Sequence, residues 1–370
     1  MRQHHQCQGW TVLVIWLFGL VVLPPVLASG FLAPRGSPRG PTDSSLQLAA
    51  AAKSPALPRE LGIATHSLGT IYYTHATAVA KVLTDFGQLK VLAKPMVGPN
   101  AWMPTFSRGE IELGILSAPD GYWAFNGMKE AGYPQRAPKI RLLQRGVPIW
   151  NGMIVRQDSP IKSIAELKGK RVSSGYGGNF IITKITEGIL ATAGLTPADT
   201  IPVPVASFVG GQEAFREGRV DSIFAGTPAT AATVETAAAV GARYLPLPKT
   251  QEAVERCRRA VPGCEFTVLK AGYGILKEDT VLMGYYTYVV GHADALSEAA
   301  AYQIARTLWE RYKELWPIHL TLKEWQPETM VDSDPGIPYH PGAVRFYKEA
   351  GVWPRELDQK QERLLREGGK

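Results

Sequence analysis

The chain has 370 residues, 45% of them hydrophobic and 20% charged, which is enough apolar material for a sizeable core and too much for a disordered segment. Forty Lys and Arg against 33 Asp and Glu give a net charge of +7, but the basic residues are spread thinly from Arg35 to Lys370 with no basic arm, which argues against nucleic acid as a partner. Three cysteines exclude a disulfide-dense scaffold, and no Cys-x-x-Cys pair exists to hold a structural zinc.

The first element in chain order is an apolar run at 10–27, behind a short head carrying Arg2, His4 and His5. It ends in Val26-Leu27-Ala28, small at the positions a signal peptidase reads, which predicts an export signal over 1–28 cleaved after Ala28. An uncleaved membrane anchor is the alternative; Pro24 and Pro25 break the end of the run and count against it. Residues 29–58 are rich in Gly, Pro, Ser and Ala and read as a flexible tether. Cys7 leaves with the signal, so the mature chain keeps Cys257 and Cys264, with Pro262-Gly263 between them. In an oxidising compartment this pair reads as a local disulfide closing a surface loop, and otherwise as two free thiols.

From Leu61 short apolar runs alternate with helical periodicity, the pattern of an α/β fold. The reading places a strand at 61–65, a helix over 69–86 with His75 on its apolar face, a strand at 89–93, a helix near 101–107 and a strand at 113–116. Strands at 139–143 and 152–155 follow, separated by Trp150 and Asn151 among others. After Ser159-Pro160 come a helical turn at 164–167, a strand at 171–173 and a helix over 180–193 ended by Gly194. Next are a strand at 201–205, a helix at 212–217 capped by Gly218, a strand at 221–225 and a helix over 229–239. An extended stretch at 281–290, carrying Tyr285, Tyr286 and Tyr288, precedes a long amphipathic helix at 297–315 with Ser297 as its cap. Two α/β regions joined by long extended segments predict two lobes with a cleft between them, and ligands of such sheets bind where loops leave the strand ends.

Several chemistries fail on the residues. There is no Gly-x-Ser-x-Gly elbow; Ser67 beside His66 is the nearest candidate for an exported hydrolase, with no acid assignable to it. His66, His75, His292, His319 and His340 are scattered without metal-ligand spacing, and the loop at 64–70 lacks the three glycines of a dinucleotide site, so no cofactor is called for. That loop does offer Thr65, Ser67 and Thr70 at a helix start. Their hydroxyls and the free N–H groups suit a carboxylate, and they also suit plain helix capping.

With these residues in order, the sequence resembles the TAXI family of extracytoplasmic solute-binding proteins that serve TRAP-type membrane transporters. The likeness covers about 61–352. Thr65, Ser67, Gly69, Tyr72 and Tyr73 are similar to that family's Gly-Thr-Gly-Ser-x-Gly-Gly-Thr-Tyr-Tyr; Gly109-Glu110-Ile111-Glu112-Leu113-Gly114 with Asp120 and Tyr122 forms a second element. Leu167-Lys168-Gly169-Lys170, then Gly218, Asp221 and Gly226-Thr227-Pro228, then Pro338-Tyr339-His340-Pro341-Gly342-Ala343 through Gly351 complete the set.

The resemblance implies a two-lobed, type II-like periplasmic-binding-protein fold, with 59–148 and 291–370 as lobe one and 149–290 as lobe two. It makes 147–156 and 281–290 the hinge strands. It implies a monomer, not an enzyme, that closes on a small organic acid or amino-acid-like anion outside the cytoplasm and delivers it to a TRAP-type permease; a sensor serving a signalling partner shares the same fold.

The ligand residues it implies are Thr65, His66, Ser67, Thr70 and Tyr72 in the opening loop, Gly98, Pro99, Asn100 and Trp102 in the second, and Asp120 and Tyr122 in the third. Asn179 and Phe180, then Gly226, Thr227 and Pro228, are their counterparts in lobe two. Pro99, Trp102 and Phe180 stand where the family has hydroxyls or amides, which predicts a more apolar acid than a compact amino acid. Trp102 also stands four residues from Phe106, a spacing equally suited to core packing, and His340 between two prolines reads as a brace of its lobe.

Overall fold

Two strands much longer than the others set the plan of the molecule. The computed structural model describes residues 57–58 and 60–368; the expected export signal over 1–28 and nearly all of the expected tether lie outside them. The chain first builds β1 (Leu61–Thr65), α1 (Ile71–Phe86), β2 (Val91–Pro95), α2 (Pro99–Ser107), β3 (Leu113–Ser117) and α3 (Ala118–Asn126). The long strand β4 (Ile140–Arg156) then carries it across to β5 (Arg171–Gly175), α4 (Ile181–Thr192), β6 (Ile201–Val205), α5 (Phe208–Arg216), β7 (Ser222–Ala225) and α6 (Ala231–Val240). After β8 (Ala242–Tyr244), α7 (Gln251–Ala260) and β9 (Glu265–Leu269), β10 (Thr280–His292) brings it back to α8 (Glu298–Glu310), α9 (Pro327–Met330), α10 (Pro341–Glu349) and α11 (Glu356–Gly368).

The strands order as β2-β1-β3-β10-β4-β7-β5-β6, with β8 on β4 and β9 on β10. Within each half the βα units pair in parallel, β1 with β2 and β3, and β5 with β6 and β7. Helices cover such strands on both faces, so β3 reads as the unbroken buried run Leu-Gly-Ile-Leu-Ser instead of an alternating one. β10 and β4 lie antiparallel and adjacent, from His292 opposite Ile140 to Met283 opposite Asn151. The C-terminal part of β10 pairs with β3 and the C-terminal part of β4 with β7, so both strands pass from one half-sheet into the other.

The two strands expected at 139–143 and 152–155 are one continuous strand, β4, which runs through Gly146 and Pro148. In the fold Pro148 stands beside a register shift of β10 between Tyr286 and Tyr288, where a missing N–H is tolerated. Caps set the helix starts: Thr70 Oγ1 accepts the Tyr73 N–H at 3.2 Å and donates to Ser67 O at 2.7 Å. His340, the N-cap of α10, accepts the Gly342 N–H at 3.3 Å, and its Nε2 lies 3.1 Å from Leu296 O. α10 packs on α8 so closely that a Cβ on Gly342 would fall 2.2 Å from Glu298 O, which explains a glycine there.

The expected Cys257–Cys264 disulfide is not formed. Both are buried free thiols, at the end of α7 and just before β9, with their sulfurs 3.6 Å apart in thiol contact. Among the described residues no helix is long and apolar enough to cross a membrane.

Candidate functional site

In both halves the C-terminal ends of the strands turn into helices whose first residues face one shared gap, the place where α/β sheets bind ligands. His66 follows β1, and with Thr70, Ile71 and Tyr72 at the start of α1 it forms one wall. Asn179, Ile181 and Ile182 at the start of α4 form the opposite wall, joined by Phe208 at the start of α5. Phe224 and Gly226 at the end of β7 and Thr230, the N-cap of α6, complete it, and Ile149 of β4 and Tyr285 of β10 make the floor. The partly open cavity offers about 40 Å³ to the centres of water-sized spheres, the scale of a small solute and not of a large one.

Thr70 Oγ1 is paired within its own helix start, but several other polar atoms of this lining are without partners. His66 is 1% exposed and neither ring nitrogen makes a hydrogen bond; the Tyr72 hydroxyl, Asn179 Oδ1 and Thr230 Oγ1 are likewise buried and unpaired. A buried polar atom left unpaired costs about 1–3 kcal/mol, so their convergence on one cavity is the arrangement a ligand relieves.

His66 stacks on Tyr72 with ring centroids 4.0 Å apart, and burial pushes it down to about 3, so its imidazole is neutral, with one donor and one acceptor. Burial raises the Tyr72 phenol, with Tyr285 and the Asp120 carboxylate adding to it. Around the cavity the halves are stitched together. Asn100 Oδ1 accepts the Phe180 N–H at 2.8 Å, Ala232 N–H donates to Gly69 O at 3.3 Å, and His319 Nε2 lies 3.2 Å from Ala229 O.

The residues named from sequence separate into groups. His66, Thr70, Tyr72, Asn179 and Gly226 line the cavity. Gly98, Pro99, Asn100 and Phe180 lie at the seam beside it: a Cβ on Gly98 would meet Asn179 Cβ at 2.7 Å, and Asn100 Nδ2 donates to Gly132 O at 2.9 Å. Thr65 is buried at the end of β1, and Ser67 Oγ donates to Met96 O at 3.2 Å. Thr227 Oγ1 accepts the Trp150 N–H at 3.2 Å, and Pro228 O accepts the Ile275 N–H at 3.2 Å.

Asp120 is sealed behind the wall, accepting from Ser117 Oγ at 2.7 Å and Tyr133 OH at 2.6 Å; burial raises it to about 6 against those bonds. Trp102 is fully buried, edge-on to Phe106 with centroids 5.8 Å apart and against Gly114 of β3, so it packs in the core and does not reach the cavity. Tyr122 is 42% exposed and borders a second groove with Arg145, Tyr286, Asp332 and Lys360, where the Arg145 guanidinium lies 4.3 Å from the Tyr286 ring centroid.

Ile71, Ile149, Ile181, Ile182, Phe208, Phe224, Thr230 and Tyr285 also line the cavity but were not among the ligand residues expected from the sequence. Most of them stand at the start of a helix that follows a strand or in the middle of a crossing strand, and that position is the signal that finds them.

Among solved structures, one described as a periplasmic transporter matches with a TM-score of 0.50 at 16% identity, over 84% of this chain and 100% of that one. The alkanesulfonate-binding protein SsuA from Xanthomonas axonopodis pv. citri, bound to MOPS, matches with a TM-score of 0.44 at 17% identity, over 84% and 95%. The binding protein component of an ABC phosphonate transporter from Pseudomonas aeruginosa gives 0.47 at 12%, over 83% and 97%. The first of these is a likeness of fold, and the fold is the two-lobed, type II-like architecture of periplasmic binding proteins. The family model described as NMT1-like matches residues 63–351, and with most of its length inside that match this chain belongs to the NMT1-like family.

Proposed function

We propose that this chain is an extracytoplasmic solute-binding protein that captures a small organic acid between its two halves and hands it, as a monomer, to a TRAP-type membrane transporter. The observation that carries the reading is the set of orphaned polar atoms of His66, Tyr72, Asn179 and Thr230 on residues that line a cavity between two half-sheets. The starts of α1 and α4 and the Thr230 cap of α6 direct helix N-termini at that cavity, which favours a negative charge there without a cationic side chain.

The halves are joined by two adjacent strands, so closure over a ligand is a hinge motion, and a membrane partner can then tell loaded protein from empty. The TRAP assignment rests on the TAXI-like elements of the sequence, and export on the apolar run ending at Ala28. A hydrolase reading finds no support in the opening loop, where Ser67 Oγ is bonded to Met96 O and the His66 nitrogens have no partner.

Thermal unfolding against a library of small acids tests the proposal. At a concentration about 100 times Kd a ligand adds about 2.7 kcal/mol, so at least one acid is expected to raise Tm by several degrees and to be recovered chemically unchanged. No stabilising acid in the library, or recovery of an altered compound, would overturn it.

A further inference from the structure

The chemistry of the cavity wall narrows the ligand further, on the reading that this cavity is the solute site. We infer that it takes a small monocarboxylate with an apolar body and a hydroxyl group, and discriminates against zwitterionic amino acids and against dianions.

The charge balance comes first. No Arg, Lys, Asp or Glu lines the cavity. Thr70 Oγ1 takes the Tyr73 N–H, which leaves the Ile71 and Tyr72 amides without an acceptor, and the Ile181 amide at the start of α4 is in the same position because Asn100 and Asn179 take its neighbours. These amides and the helix ends behind them amount to about half a charge per helix, enough for one carboxylate. A second carboxylate would meet no cation.

An ammonium group would meet no carboxylate either. Asp120, which acts on Tyr72 and Tyr285 from behind the wall, has its oxygens bonded to Ser117 and Tyr133 and sits in the first turn of α3, where the helix end balances its charge.

The hydroxyl follows from what remains unpaired. Asn179, a lining residue, has its Oδ1 buried without a partner and calls for a donor on the ligand, while the unpaired Tyr72 OH and Thr230 Oγ1 can donate. One neutral group that both donates and accepts, a hydroxyl, meets both needs. The apolar body follows from Ile149, Ile181, Ile182, Phe208 and Phe224, and the small volume keeps it short.

Titration calorimetry with 2-hydroxyisovalerate, valine and malate separates the classes, because valine exchanges the hydroxyl for an ammonium and malate exchanges the body for a second carboxylate. The hydroxy acid is expected to bind at least about 100-fold more tightly than either, the scale of an uncompensated buried charge. Asn179→Asp, which adds a carboxylate at the acceptor position, should weaken the hydroxy acid and shift the ratio toward valine, a change that mere loss of structure does not produce.

Valine or malate binding as tightly as 2-hydroxyisovalerate overturns the inference and leaves the solute-binding reading standing. Binding of none of the three also overturns it, and the thermal library then decides the broader reading separately.

Discussion

Gly98→Val is expected to lower ligand affinity by roughly 100-fold while leaving the stability of the unliganded protein within about 1 kcal/mol. Gly98 has an extended backbone that any residue adopts, so the substitution introduces no strain within its own half. The obstacle lies across the cleft. A Cβ at Gly98 would fall 2.7 Å from both Asn179 Cβ and Gly178 O, and Gly178 in turn is pressed against Val97. These loops are the tightest part of the seam that also holds the Asn100–Phe180 hydrogen bond.

Overpacking of this kind costs about 1–3 kcal/mol and falls on the closed state alone, so it lowers the competent fraction and raises the apparent Kd by up to about 150-fold. Gly177→Ala is the control, since a Cβ there meets nothing within 4 Å and binding should be kept. Calorimetric titration with paired melting curves checks both variants. Equal binding by Gly98→Val and wild type would show that ligand capture does not need these loops to meet.

Acidification is the second large effect. Burial holds three histidines neutral: His66 and His75 are pushed down to about 3, and His340 to about 4, where its bond to Leu296 O partly opposes burial. Between pH 6.5 and those values the unfolded chain binds protons that the folded chain refuses, so each group's stabilisation is full above about pH 6.5 and is lost, at about 1.4 kcal/mol per pH unit, as pH falls.

Asp120 has the opposite sign. Its folded value is raised to about 6, so its contribution grows as pH falls below that point. Burial lowers His292 and His319 as well and raises Glu324 as it does Asp120, so the histidines outweigh the carboxylates, and Tm is expected to drop steeply between pH 7 and pH 5. His75→Gln, which keeps a partner for Thr321 Oγ1 2.7 Å from His75 Nε2, should flatten the drop, and Asp120→Asn should steepen it. A Tm that holds or rises from pH 7 to pH 5 would contradict this account of the buried histidines.

The strands and helices with a strong apolar period were legible in the sequence, and the rest were hidden for identifiable reasons. α3 opens with Ala118-Pro119 and carries Gly121, and it holds as a helix because Ser117 caps it and Gly127 ends it in the left-handed conformation. α7 buries only Ala253 and Cys257, so it shows almost no apolar face; Thr250 caps it. α5, expected at 212–217, starts at Phe208 because Ser207 caps it and Gly210-Gly211 continue the helix, which brings the Phe208 ring to the cavity.

At the candidate site, the opening loop draws notice for its hydroxyls at a helix start and the start of α4 through the family resemblance, and residues of both line the cavity. Trp102 stood out as well, yet residue type alone cannot say which side of α2 faces β3, and the ring points inward against Gly114. Ile149, Phe208, Phe224 and Tyr285 look like ordinary core residues, and only the pairing of β4 with β10 and the meeting of helix starts bring them to the cavity.

A crystal structure of the protein with the most stabilising acid from the library tests the central claim most directly. The expected result is a single ligand enclosed between the halves, its charged group at the starts of α1 and α4 and its remaining polar atoms on His66, Tyr72, Asn179 or Thr230. A ligand seated instead in the groove of Arg145 and Tyr286, or on an outer face with the cavity unfilled, would contradict it.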